Sequence, residues 1–186
     1  MSRKLAINRL LTTTLLLLLI VTAACRGKHQ RVVVQNEEEP AEGGPRVAST
    51  FKMSDPGAPG QLLHGVYGLE SGSWRWTAGK FTFLLHPPLA SAEHGATLTF
   101  AFSIPDIVMQ KLGPMTLTAS VGSTKLKSET YSKPGAQTFV ADVPPGNLLA
   151  GETMAVDFAL DKSLPAGSVD QRELGVVAIS VGLEGK

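Results

Sequence analysis

The chain has 186 residues, of which 43% are hydrophobic and 18% are charged. That length and composition fit one globular domain together with accessory segments. Lysine and arginine number 17 and the acidic residues number 16, so the formal net charge is +1. The sequence shows no basic patch or stripe, which argues against a nucleic-acid partner.

The N-terminus has the three-part pattern of an export signal. A basic segment, MSRKLAINRL, precedes an apolar run, LLLLLIV at residues 15–21, and two alanines stand directly before Cys25. The apolar run is shorter than the stretch of about 20 residues that a membrane-spanning helix needs. We therefore predict a signal peptide over residues 1–24.

Cys25 is the single cysteine in the sequence. The segment VTAAC resembles the lipobox of bacterial lipoproteins, with Thr22 where leucine is usual. The resemblance implies cleavage before Cys25 and fatty acyl chains, such as palmitate, on its sulfur and on the new amino terminus. Several acyl chains anchor a protein stably, so the membrane is an expected partner and the bacterial cell envelope the expected location. Arg26 stands where an aspartate would suggest retention in the inner membrane, which favours the outer membrane.

Residues 25–60 read as the lipidated cysteine followed by a flexible linker. QNEEEPAEGGPR at 35–46 is acidic, and both it and SDPGAPGQ at 54–61 are rich in proline and glycine. Such segments bury too little apolar area to offset chain entropy. An apolar island, RVVVQ at 31–35, could add a strand. The folded domain is expected over residues 61–186.

From Leu62 onward, apolar and polar residues alternate with period two, which indicates half-buried strands. The alternation is clearest in ATLTFAFSIP at 96–105, and it recurs in KFTFLL at 80–85, PMTLTASVG at 114–122, QTFVADVP at 137–144, TMAVDFALD at 153–161 and GVVAISVGLE at 175–184. Together with TKLKSETY, which follows a Gly122-Ser123 turn that fits type II′, these give about eight strands. Strands with one polar face are typical of antiparallel sheets. The prediction is an all-β fold, an antiparallel β-sandwich of jelly-roll type.

Motifs of catalysis and cofactor binding are missing from the sequence. It contains no G-x-S-x-G elbow, phosphate-binding loop, H-E-x-x-H or C-x-x-C. The four histidines are scattered without the spacing of metal ligands. We therefore expect no enzymatic activity, no cofactor and no metal site.

Two segments concentrate aromatic, basic and acidic residues. HGVYGLESGSWRWT at 64–77 and SVDQRELG at 168–175 together supply Tyr67, Glu70, Trp74, Arg75, Trp76, Asp170 and Arg172. In one interpretation the two arginines pair with Glu70 and Asp170 and pin distant segments together. In the other, rings and polar groups form a sugar-binding site. Trp76 is expected to be largely buried and Trp74 to lie at a rim or strand edge.

These segments resemble a β-sandwich module of bacterial envelope glycan proteins, which recurs beside glycosyltransferase and polysaccharide-biosynthesis domains. The shared pattern is a glutamate, then Arg-Trp-Thr, and later Asp-x-Arg-x-Leu-Gly before the last strand, matched here by Glu70, Arg75, Trp76, Thr77, Asp170, Arg172, Leu174 and Gly175. The resemblance implies a jelly-roll, carbohydrate-binding-like fold without catalytic activity of its own.

The sequence thus favours a lipid-anchored, non-catalytic envelope module that binds a glycan or a partner protein. One alternative is a purely structural or assembly lipoprotein without a small ligand. Another is an envelope hydrolase with an unrecognised site, which would need two carboxyl groups facing each other across a cleft.

Overall fold

Antiparallel strands make up most of the region that the computed structural model describes, residues 46–148 and 151–186. The strands are β1 (Thr50–Lys52), β2 (Leu62–Glu70), β3 (Trp74–Leu85), β4 (Ala96–Ile104), β5 (Met115–Val121), β6 (Thr124–Tyr131), β7 (Gly135–Val143), β8 (Met154–Leu160) and β9 (Val177–Gly185). Two short helices, α1 (Ser91–His94) and α2 (Asp106–Leu112), and two 3-10 turns, Ala58–Gln61 and Pro145–Asn147, lie in the connections. The predicted signal peptide, Cys25 and the RVVVQ island lie outside the described residues.

The strands pair in a nested order. β5 pairs with β6, β4 with β7, β3 with β8 and β1 with β9. This nesting gives one sheet in the order β1-β9-β4-β7 and a second in the order β2-β3-β8-β5-β6. Two sheets wound in this way form a jelly roll, so the predicted fold class is confirmed, with β2 as an additional edge strand.

Strand β3 forms the corner between the two sheets. Its first residues, Arg75 and Trp76, pair with β9, whereas Lys80 to Leu85 pair with β8. Gly65 on β2 accommodates the change of direction, because a Cβ there would lie 1.9 Å from the Lys80 carbonyl oxygen. Its φ of +68° also lies in the region that glycine adopts without strain.

The core lies between the two sheets and is built around phenylalanine rings. Phe81 on β3 and Phe158 on β8 stack at 5.2 Å, and both contact Phe100 of the facing sheet, at 5.6 and 4.9 Å. Buried and half-buried positions alternate without exception along β4. Full burial of such a side chain stabilises the fold by about 1.5–3 kcal/mol, so the period-two pattern reports the contact between the sheets.

The β-sandwich begins earlier than the expected boundary at residue 61. Phe51 and Met53 are buried, and β1 pairs with β9. Gln61 is also buried, and its side-chain amide donates to the carbonyls of Ala48 and Leu84. A strand of three residues is too short to show alternation, and the neighbouring prolines and glycines made this segment resemble a linker.

The hairpin between β5 and β6 has the predicted turn. Val121 pairs with Thr124 across Gly122-Ser123, Gly122 has a φ of +54°, and Ser123 does not have a positive φ. A type II′ turn requires this combination, whereas type I′ needs a positive φ at both central residues.

Candidate functional site

Arg172 is the centre of the polar cluster that the sequence singled out. Its Nε and Nη2 donate to the two carboxylate oxygens of Asp170 at 3.0 and 2.9 Å. Its Nη1 donates to Glu70 Oε1 at 2.8 Å, and its guanidinium lies 5.1 Å from the centre of the Tyr67 ring. The two segments predicted to meet therefore do meet, at the end of the sandwich that holds the β2–β3 hairpin.

The protonation equilibria of this cluster reflect the ion pairs. Hydrogen bonds from Arg172 lower the pKa of Asp170 to about 2. The same carboxylate, with Glu70, raises the pKa of Arg172. Desolvation, aided by the charge of Glu173, raises the pKa of Tyr67. Asp170 and Arg172 are thus both ionised at neutral pH, with their charges directed at one another.

Within residues 46–148 and 151–186, Arg75 does not pair with a carboxylate, contrary to expectation. Its Nε donates to the Met53 carbonyl at 3.0 Å and its Nη1 to the Tyr67 carbonyl at 3.2 Å. Arg75 therefore ties the end of β1 to β2 through backbone oxygens. The acidic partner closest in sequence, Glu70, is occupied by Arg172 instead.

The two tryptophans share a face of β3, as strand alternation requires. Their ring centres lie 6.3 Å apart in an edge-to-face arrangement. Trp76 packs against the core but is half-buried rather than largely buried, and Trp74 is half-buried too. Because the edge of one ring faces the other, the pair does not form one continuous flat platform.

Thr77 and Gly175 of the motif, together with the neighbouring Glu173, fasten the segment before the last strand to the corner of β3. Thr77 is fully buried, and its hydroxyl accepts a hydrogen bond from the Val176 amide. Glu173 accepts from the Gly79 amide and from the Ser163 hydroxyl. Gly175 lies so close to β3 that a Cβ would be 2.5 Å from the Ala78 carbonyl oxygen. These contacts hold the segment before the last strand against β3.

A second site, which sequence reasoning missed, is a groove on the outer face of the five-stranded sheet. It has a volume of about 510 Å³. Its lining comprises His64 on β2, Lys80, Phe81 and Thr82 on β3, Ser120 on β5, and Asp157, Phe158 and Ala159 on β8. Phe81 and Phe158 are buried, and the surface of the groove is more apolar than polar although several polar side chains line it.

Three of the five polar side chains of the groove have no side-chain hydrogen bond within the part of the chain that the structure describes. Thr82 donates to one carboxylate oxygen of Asp157 at 2.7 Å. Among the described residues, His64, Lys80 and Ser120 make no side-chain hydrogen bond, and Lys80 makes no ion pair within 4.0 Å. The outward-facing Asp157 is visible in the sequence, but the lining residues come from four strands, of which β3, β5 and β8 are far apart in the chain. Alternation within one strand therefore marks them only as a solvated face.

Metal binding and membrane crossing have no structural support in residues 46–148 and 151–186. No group of three or more His, Cys, Asp or Glu side chains there is placed to hold a metal ion. No helix of this part of the chain has the length and apolar character needed to cross a membrane.

Comparisons with known proteins find distant similarity at the level of structure. No family model matches the chain, and no curated protein matches it. A CBM36 carbohydrate-binding module in complex with calcium and xylotriose is 10% identical and aligns with a TM-score of 0.37 over 73% of this chain and 98% of its own. The module CsCBM6-3 of Clostridium stercorarium, in complex with cellobiose, is 12% identical with a TM-score of 0.37 over 75% of this chain and 88% of its own. The jelly-roll assignment rests on the strand pairing described above.

Proposed function

We propose that the chain is a lipid-anchored, non-catalytic module of the bacterial envelope that binds glycan in the groove of the five-stranded sheet. The supporting observation is the set of side chains there, His64, Lys80, Ser120 and Asp157, which retain hydrogen-bonding capacity toward a ligand. His64 and Lys80 are exposed and Ser120 and Asp157 are half-buried, so all four can exchange bound water for ligand hydroxyls. A concave surface that leaves several polar groups available suits a polyhydroxylated ligand.

The Arg172 cluster is a weaker candidate for the same role. The Nε, Nη1 and Nη2 atoms of Arg172 already donate to Asp170 and Glu70, and Arg75 donates to two backbone carbonyls. A sugar bound there would have to displace these bonds. The cluster therefore serves the scaffold in this proposal, and the groove serves the ligand.

The proposal of binding without catalysis is supported by the composition of the groove. Asp157 is the one carboxylate among its lining residues, all of which the structure describes. Glycoside hydrolysis generally uses two carboxyl groups on opposite sides of the scissile bond. A hydrolase would need to recruit a second acid from elsewhere.

A glycan array tests the binding function. The full-length chain, purified in detergent micelles, is compared with Asp157→Asn and with the matched control Asp142→Asn, an exposed acid on β7 of the other sheet. We expect the wild type and Asp142→Asn to retain a set of glycans that Asp157→Asn loses. Binding that is lost in Arg172→Met but kept in Asp157→Asn would move the site to the polar cluster. No glycan bound by a folded protein would favour the structural or assembly lipoprotein.

The lipid anchor has its own test, because Cys25 lies outside the described residues. Mass spectrometry of the membrane-extracted protein should show a chain that begins at an acylated Cys25. An intact Met1 terminus, or a soluble unmodified form, would contradict the anchor. Separation of inner and outer membranes by density would then test the proposed outer-membrane location.

A further inference from the structure

The groove lies in a polar row that crosses all five strands of its sheet. Strand pairing places Thr82 opposite both His64 and Asp157, Asp157 opposite Ser120, and Ser120 opposite Lys125. Since neighbouring strands lie about 4.8 Å apart, this row extends for about 19 Å. The spacing between its members is close to the length of one hexose unit in an extended glycan, so the row matches a linear chain that runs across the strands.

Two exposed lysines lie at or beside this row: Lys125 is its member on β6, and Lys80 stands on β3 two residues before Thr82, on the same face of the strand. Lys80 and Lys125 are exposed, and within the described residues neither has a carboxylate within 4.0 Å. Asp157 is the one acid among the members of the row, and Thr82 already donates to one of its oxygens. The two ammonium groups therefore stay available to a negatively charged ligand, whereas other lysines, such as Lys127 and Lys186, are neutralised by acids.

Ring stacking contributes little in this groove. The two aromatic residues among its lining, Phe81 and Phe158, are each 1% exposed. The tryptophans, which could stack on a sugar, are not among the lining residues. Specific recognition of a sugar in this groove must therefore come from hydrogen bonds and charge, and charge-assisted hydrogen bonds are the stronger of these.

We infer that the ligand of the groove is a linear acidic glycan whose carboxylated sugar units lie across the strands, with Lys80 and Lys125 binding the carboxylates. Between these two cations, Asp157 accepts hydrogen bonds from sugar hydroxyls, and Ser120 donates hydrogen bonds to them. This inference rests on the proposed glycan-binding function and adds the chemical class and the direction of the bound chain.

Titration calorimetry of the full-length chain in detergent micelles tests it. The probes are tetrasaccharides of galacturonic, mannuronic or glucuronic acid units, and the methyl esters of the same molecules, which lack the charge but keep the hydroxyls. We expect at least one acid form to bind about tenfold more tightly than its ester, because a charge-assisted bond is being removed. The preference should decline between 0.1 and 1 M NaCl, where the screening length falls from about 10 to about 3 Å.

Matched lysine variants locate the effect. Lys80→Gln and Lys125→Gln should each weaken binding of the acid form several-fold and leave the ester unaffected, while Lys80→Arg should retain the preference. Lys52→Gln, which changes an exposed lysine on the other sheet, should change nothing. Thermal melts verify that each variant folds.

The outcomes separate this inference from the function on which it rests. Equal affinity for acid and ester forms, or a preference unaffected by Lys80→Gln and Lys125→Gln, would overturn the acidic-glycan inference and leave glycan binding intact. Failure of every acid and ester probe, together with an empty glycan array, would overturn both.

Discussion

The contact between Glu70 and Arg172 joins segments that are 102 residues apart, so its strength measures how far the motif stabilises the fold. The two side chains are 34% and 32% exposed, which allows water and salt to screen the pair. Exposed pairs contribute about 0.2–1 kcal/mol, whereas breaking a buried pair costs about 3–5 kcal/mol. Because the geometry is good and the exposure is only one third, we expect a coupling free energy of about 1 kcal/mol, at the top of the exposed range.

A double-mutant cycle of Glu70→Gln and Arg172→Met measures this coupling without the loss of the apolar stem of the arginine. The free energy of unfolding is obtained from urea titrations of the wild type, both single variants and the double variant. The coupling should shrink in 1 M NaCl, because screening is strong at that ionic strength. A coupling of 3 kcal/mol or more would show that the pair behaves as buried. A coupling of zero at low salt would show that the two segments do not meet in solution.

Three further predictions concern the same domain. The stability difference between the wild type and Asp170→Asn should be full above about pH 4 and be lost as the pH falls through about 2, because the folded-state pKa of Asp170 is lowered from its ordinary 3.8 to about 2. Thermal melts over this pH range measure the difference, and a difference that does not change with pH would contradict the ion pair. Gly175→Ala should cost about 1–3 kcal/mol through overpacking against Ala78, whereas Gly68→Ala, with open space around it, should cost less in the same urea titration. Residues 46–186 alone should show β-type circular dichroism and melt cooperatively, because the buried residues of both sheets lie within them; loss of the transition would mean that an earlier segment is required.

The sequence predicted the strands that contact the opposite sheet along their whole length. β4 and β8 alternate because every second side chain enters the core. β2 was not predicted as a strand, since it is an edge strand in which Gly65 and Gly68 interrupt the pattern and its burial does not alternate. β1 was assigned to the linker because three residues cannot display a period.

The two candidate sites differ in how far the sequence could reveal them. The Arg172 cluster comes from two short segments rich in unusual residues, so its composition was visible before its geometry. The hydrogen-bond partner of Arg75 could not be predicted in this way, because a backbone carbonyl such as that of Met53 leaves no trace in side-chain composition. The groove was missed because Thr82, Ser120 and Asp157 each occupy an ordinary outward position, and only the register of distant strands brings them together.

The motif and the polar row lie in different parts of the domain, and this limits what the motif can indicate about a ligand. Thr77 and Gly175 of the motif hold the corner of β3: Thr77 accepts from the Val176 amide, and Gly175 packs against the Ala78 carbonyl. The neighbouring Glu173 accepts from the Gly79 amide. A chain that shares them shares a way of closing the sandwich, since substitution there breaks packing or strands a polar group. Lys80 and Lys125 are exposed and unpaired within the described residues, and surface changes of that kind usually alter stability by less than about 0.5 kcal/mol. Residues of the polar row can therefore change while the motif and the fold persist, so under the proposed function the motif does not report which ligand is bound.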